Sequence, residues 1–129
     1  MQIEDDLEII MDKELLQLKK LGADYEQAVP QIAEKEAYAE AVKAFFSSHD
    51  FMRLGQAIHH KQWQAASMKA MKMSNRAREL GCVGIEKPLN GIRMNINCRN
   101  DQEALQLLSA LITKRVRILA FFQGNKGEE

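Results

Sequence analysis

The sequence predicts an all-α fold, an antiparallel helical bundle with short connections, and three observations carry that prediction. Apolar residues recur at intervals of three and four along almost the whole chain, the spacing that gathers side chains on one face of an α-helix. The 129 residues are rich in Ala, Leu, Lys, Glu, Gln and Met and contain only two prolines, a helix-forming composition. The polar–apolar alternation of a half-buried strand appears nowhere, and no internal repeat or linker interrupts the pattern. A chain of this length reads as one domain over residues 1–123, large enough to bury a single core. The tail GNKGEE (124–129) lacks an apolar anchor and reads as disordered.

Taken in order, the first helix is expected from about Glu4 to Leu21, with Leu7, Met11, Leu15 and Leu18 on one face. Its acidic opening, Glu4-Asp5-Asp6, suits the positive end of a helix dipole, and Gly22 supplies a left-handed cap. Asp24 followed by Gln27 has the form of a capping box for a short second helix. A third helix, about Glu34 to Ser48, packs Tyr38, Val42 and Phe45. Asp50 then caps a fourth that turns Phe51, Leu54 and Ile58 inward. The fifth, about Gln62 to Leu80, carries an inner stripe of Ala66, Ala70, Met73, Ala77 and Leu80. Gly81 and Gly84 frame the next turn. Pro88 fits the first turn of a sixth helix, whose inner face is Leu89, Ile92 and Ile96. Asn100 with Glu103 caps the last helix, whose core face reads Leu105, Leu108, Ile112, Val116 and Leu119.

Composition excludes several function classes. With 18 basic and 18 acidic residues the formal charge is zero, so no non-specific grip on nucleic acid or anionic membrane is expected. The longest apolar run, ILAFF (118–122), is far below membrane-spanning length. The acidic start MQIEDDLEII is unlike the basic head of a signal peptide. Cys82 and Cys98 have no metal-ligand spacing and read as half-buried thiols, which together point to a reduced, cytoplasmic setting. His49 falls near a helix end, where a partly cationic imidazole suits the dipole. His59 and His60 are adjacent and lack the four-residue spacing of helical metal ligands. Trp63, Phe45, Phe46, Phe121 and Phe122 read as core and helix-end packing. No phosphate-cradling glycine loop and no Ser-His-Asp grouping is legible, so neither a metal nor a cofactor is expected.

One residue departs from its surroundings. In AASMKAMKMSNRARELG (65–81) the side opposite the apolar stripe carries Gln64, Ser67, Ser74, Asn75 and Arg78, with Met71 in its middle, facing solvent. The flank formed by Lys69, Lys72, Arg76 and Arg78 is basic.

From about Leu15 to Phe122 the chain resembles the histidine-containing phosphotransfer (HPt) domain, a four-helix bundle that relays phosphoryl groups between receiver domains. LKKLGADYEQAV is similar to the opening segment of one bacterial branch of that family, and AYAEAVKAFFSSHDFMRLGQAI to its next helices. KQW falls where that branch has an acidic-tryptophan turn. The family's next helix carries Ala-His-x-Leu-Lys-Gly and closes on Leu-Gly. Ala70, Met73, Leu80 and Gly81 match that scaffold, but Met71 stands at the phosphoaccepting histidine, Ser74 at the lysine and Asn75 at the glycine.

What the resemblance implies is therefore a bundle of HPt type with additional short N-terminal helices and without the family's chemistry. A thioether forms no counterpart to a phosphoramidate. Serine supplies no charge to a travelling phosphoryl group, and asparagine adds bulk where glycine admits a partner's backbone. The expected function is a non-catalytic signalling domain that binds a response-regulator receiver or related protein. It would use Gln64, Ser67, Met71, Lys72, Ser74, Asn75 and Arg78, with Lys72 and Arg78 facing the receiver's acidic pocket. The alternatives are an active phosphocarrier using an atypical residue and a self-associating structural bundle.

Overall fold

The computed structural model describes residues 13–28 and 34–127, and every regular element among them is helical. They comprise α1 (residues 13–20), a 3-10 turn at Tyr25–Gln27, α2 (Lys35–Ser47), α3 (Asp50–His59), α4 (Trp63–Glu79), α5 (Val83–Asn97) and α6 (Asp101–Gly127). The expected acidic opening at Glu4-Asp5-Asp6, with Leu7 and Met11, lies outside the described residues. No helix among them is long and apolar enough to cross a membrane.

α4 packs between α3 and α5, α5 lies against α6, and α6 returns to touch both α3 and α2. The inner faces anticipated for α2 to α5 are the ones buried: Tyr38, Val42 and Phe45 on α2, Phe51, Leu54 and Ile58 on α3, the Ala66-to-Leu80 stripe of α4, and Leu89, Ile92 and Ile96 on α5. Phe46 and Ile85 join them. Three phenylalanines form the aromatic centre, with Phe45 edge-on to Phe46 (4.9 Å between centroids) and Phe46 stacked on Phe51 (5.9 Å).

Four helices end in the same way. Gly22, Lys61, Gly81 and Arg99 adopt left-handed backbone (φ 108°, 57°, 69° and 59°). In each case the next residue's N–H reaches back five positions: Ala23 to Leu18 O, Gln62 to Ala57 O, Cys82 to Ala77 O and Asn100 to Asn95 O, at 2.8–2.9 Å. This is the Schellman arrangement, which satisfies carbonyls a helix end leaves bare. Glycine enters that conformation freely, whereas Lys61 and Arg99 do so at about 1–2 kcal/mol each. Arg99 recovers part of this cost by placing its guanidinium 5.3 Å from the centroid of Trp63.

Several expectations are corrected. Asp24 heads a single 3-10 turn, not a helix with a reciprocal box: its carboxylate accepts from Glu26 N–H at 3.1 Å. Asp50 is the first residue of α3, and the cap position belongs to His49. His49 directly follows the Ser48 C-cap of α2, whose negative end suits a cationic ring, and at the same time stands at the positive end of α3, so the two dipoles act on it in opposite directions. Asp50 instead pairs with Lys69 of α4 at 3.0 Å. α5 begins at Val83, so Gly84 lies within it and Pro88 stands in its second turn. A proline there leaves the Gly84 carbonyl without its helical donor, and Lys114 Nζ of α6 donates to that carbonyl at 3.1 Å.

On α6 the buried stripe is Ala104, Leu108, Leu111 and Ile118, while Ile112 and Val116 are 38% and 56% exposed. Arg115 falls in line with that stripe: Nε donates to Phe46 O at 2.6 Å, at the carbonyl end of α2, and the guanidinium lies 5.8 Å from the Phe51 centroid. Asn100 turns its amide toward Asn95 Oδ1 (3.3 Å). α6 continues into the segment read as tail, as far as Gly127. Cys82 is fully buried and Cys98 exposed, so neither thiol is half-buried.

Candidate functional site: the α4–α5 face

Three side-chain pairs join α4 to α5 along one line. Ser67 Oγ donates to Asn97 Oδ1 (3.3 Å), Ser74 Oγ to Asn90 Oδ1 (3.0 Å), and Arg78 Nε to Glu86 Oε1 (2.9 Å). Steps of seven and four residues up α4 are matched by the same steps down α5, as an antiparallel pair of straight helices requires. That register sets Met71 across from Arg93.

The seven residues expected to bind a partner thus separate into two groups. Ser67, Ser74 and Arg78 are engaged with α5, and Ser74 is buried, at 2% exposure. Its placement on a solvent face is corrected, because burying a hydroxyl is tolerated once it has a partner, and Asn90 provides one. Gln64, Lys72 and Asn75 are exposed, and Met71 is half-buried at the border between the two groups. Met71 is therefore not the freely solvated side chain expected, nor does it belong to the buried core.

Sequence reasoning missed two neighbours. Met68, one turn before Met71 on α4, is 48% exposed, and Met94, next to Arg93 on α5, is 69% exposed. Three methionines thus border the polar seam. The signal was the spacing of three between Met68 and Met71; Met94 needed the pairing of α5 with α4.

Residues 63–97 hold six basic side chains and two acidic ones. Both acids are occupied, Glu79 by Arg76 (3.1 Å) and Glu86 by Arg78, and Lys69 is tied to Asp50. Lys72, Lys87 and Arg93 carry no ion pair among the described residues. Twelve of the eighteen acidic residues precede residue 51, while thirteen of the eighteen basic ones follow it. The methionine face accordingly sits in the positive half of an electrically neutral chain.

The titrating groups most shifted from their ordinary values lie elsewhere. Burial, with smaller contributions from Cys82 and Asp24, raises Tyr38 well above the usual phenol range, and its hydroxyl donates to Leu80 O at 2.8 Å. Burial pushes the Cys82 thiol up to about 12. Both side chains are fully buried where α2 meets the end of α4, so their shifts record packing. His59 and His60 lie edge-to-face at the end of α3, 5.3 Å between centroids and exposed. Among the described residues no group of three or more His, Cys, Asp or Glu side chains is placed to hold a metal ion.

No protein-family model matches the chain, and no curated protein or solved structure compared with it gives a significant match.

Proposed function

We propose that this chain is an HPt-like interaction domain of four-helix-bundle type that docks a receiver or related protein on the α4–α5 face without accepting phosphate. The contacts running α3 to α4, α4 to α5, α5 to α6 and α6 back to α3 support the bundle reading. The observation that carries the functional reading is Met71, half-buried beside the seam with the exposed Met68 and Met94 flanking it. Methionine is unbranched and polarizable and adapts to varied partner surfaces. Fully covering one such side chain contributes roughly 1.5–3 kcal/mol. Lys72 and Arg93 at the rim favour a partner with acidic residues around an apolar centre, which speeds encounter more than it tightens the final complex.

The test combines binding and transfer. The chain is mixed with labelled phospho-receivers and with receivers carrying a phosphoryl mimic. Complex formation without label transfer is expected, and Met71→Asp is expected to weaken binding at least about tenfold. Phosphate appearing on the chain, or binding indifferent to Met71→Asp, would overturn the reading.

A further inference from the structure

A second face, on the far side of the molecule, lies where α3 meets α6. The two helices approach closely there: a Cβ on Gly55 would meet Leu108 Cδ2 at 3.2 Å. Outward of that line of contact stand Met52 from α3, 56% exposed, and Ile112 and Val116 from α6. Charged residues make up 28% of the chain, yet the positions that share this face by helical spacing, Met52, Gly55, Gln56 and His59 on α3 and Leu105, Ser109, Ile112, Thr113 and Val116 on α6, include no Asp, Glu, Lys or Arg. The charges next in sequence, Arg53, Arg115 and Arg117, fall on other sides of their helices.

We propose that this α3–α6 face pairs with the same face of a second copy about a two-fold axis. Such an axis sets a surface against itself, so any charge near the centre meets its own like charge. A face free of charge at its centre avoids that repulsion, and depletion of charge with enrichment in methionine is what marks the core of protein interfaces. A partner bringing charged groups onto Met52, Ile112 and Val116 would bury them without counter-ions, which costs several kcal/mol. The occupant must therefore be apolar and uncharged over the same extent, and a second copy meets that condition. With three exposed apolar side chains at its centre, the contact is a concentration-dependent dimer. It involves different residues from the α4–α5 face, so either assignment can fail alone.

Light scattering and sedimentation of the full chain, from about 1 μM to about 1 mM, test the assignment. The mass is expected to rise from the 14.7 kDa of one chain toward twice that value. Ile112→Lys and Val116→Lys each oppose a lysine to its own copy and are expected to raise the dissociation constant at least about tenfold with circular dichroism unchanged. Met52→Gln, in a different helix, is expected to act in the same direction, so misfolding of an α6 variant would not shield the proposal. Met94→Lys, on the α4–α5 face, is expected to leave the dimer intact. A single-chain mass at every concentration, a dimer indifferent to substitutions at positions 52, 112 and 116, or one dissociated by Met94→Lys would each overturn it.

Discussion

A Cβ on Gly81 would run into the backbone oxygen of Asp24 and come within 3.0 Å of Ala28 N and the Gln27 carbonyl carbon, at a residue already held at φ 69°. The neighbouring bonds show why that space is closed. Asp24 N–H donates to Gly81 O at 3.2 Å, and Tyr38 OH donates to Leu80 O at 2.8 Å, so the turn after α1, the start of α2 and the end of α4 meet at one glycine. Gly81→Ala is expected to cost at least ~3 kcal/mol, about 1–2 from the left-handed backbone and the remainder from displaced main chain. Gly22→Ala is the control: φ is 108° but nothing lies within 4 Å of the added carbon, so only the conformational part, about 1–2 kcal/mol, should appear. Equal losses of urea midpoint in the two variants would refute the steric account. Gly81 was legible in the sequence as a turn residue because helix periodicity stops there. Its contact with Asp24, 57 positions earlier, was not, since no local pattern encodes which turns touch. Ser74 illustrates the same limit: a hydroxyl on a helix reads as solvent-facing until a second helix offers Asn90.

At the scale of whole helices, Pro88 and Lys114 form a matched pair. A proline in the second turn of α5 removes the N–H that would serve the Gly84 carbonyl, and a lysine from α6 takes its place at 3.1 Å. Lys114→Met is expected to destabilise the chain by about 1 kcal/mol. In a Pro88→Ala background, where the peptide N–H can bond the carbonyl itself, the same substitution should cost less than half as much. Chemical denaturation of the four proteins measures the coupling, and identical costs in the two backgrounds would show that the lysine serves no such purpose. The boundaries of α2 and α4 were readable to within one residue, because apolar stripes and, for α4, the cap at Gly81 mark them, whereas α5 starts at Val83, ahead of the first-turn place that suits Pro88. α6 was misread for a definite reason. Arg115 lies in line with its buried stripe, and a reader of periodicity rejects an arginine there and shifts the face onto Ile112 and Val116. The guanidinium is tolerated because Phe46 O accepts from it at 2.6 Å while the side chain runs beside Phe51.

For the molecule as a whole, the two groups with the largest shifts make the fold sensitive to base. Tyr38 and Cys82 ordinarily titrate at 10.0 and 9.0, and burial raises both in the folded chain. The folded state therefore holds these protons more tightly than the unfolded chain does, so stability is intact below about pH 9 and erodes as pH climbs toward the Cys82 value of about 12. A urea midpoint that falls steadily from pH 9 to 11 is expected, with a shallower fall in Cys82→Ala, where only the phenol remains. A flat profile in the unsubstituted chain would contradict this. The all-helical architecture was legible from composition and spacing. The pairing of α4 with α5, and hence the company Met71 keeps, depended on which faces meet and could not be read from either helix alone.

The unequal burial of the two cysteines has a practical consequence. Cys98 is exposed just past the end of α5, one helical turn beyond Met94, while Cys82 is enclosed and its thiolate disfavoured. A maleimide dye added near neutral pH should therefore attach at a single position. The unmodified sequence already carries a reporter site near the methionine face, where fluorescence anisotropy can follow a partner's arrival without introducing a new residue.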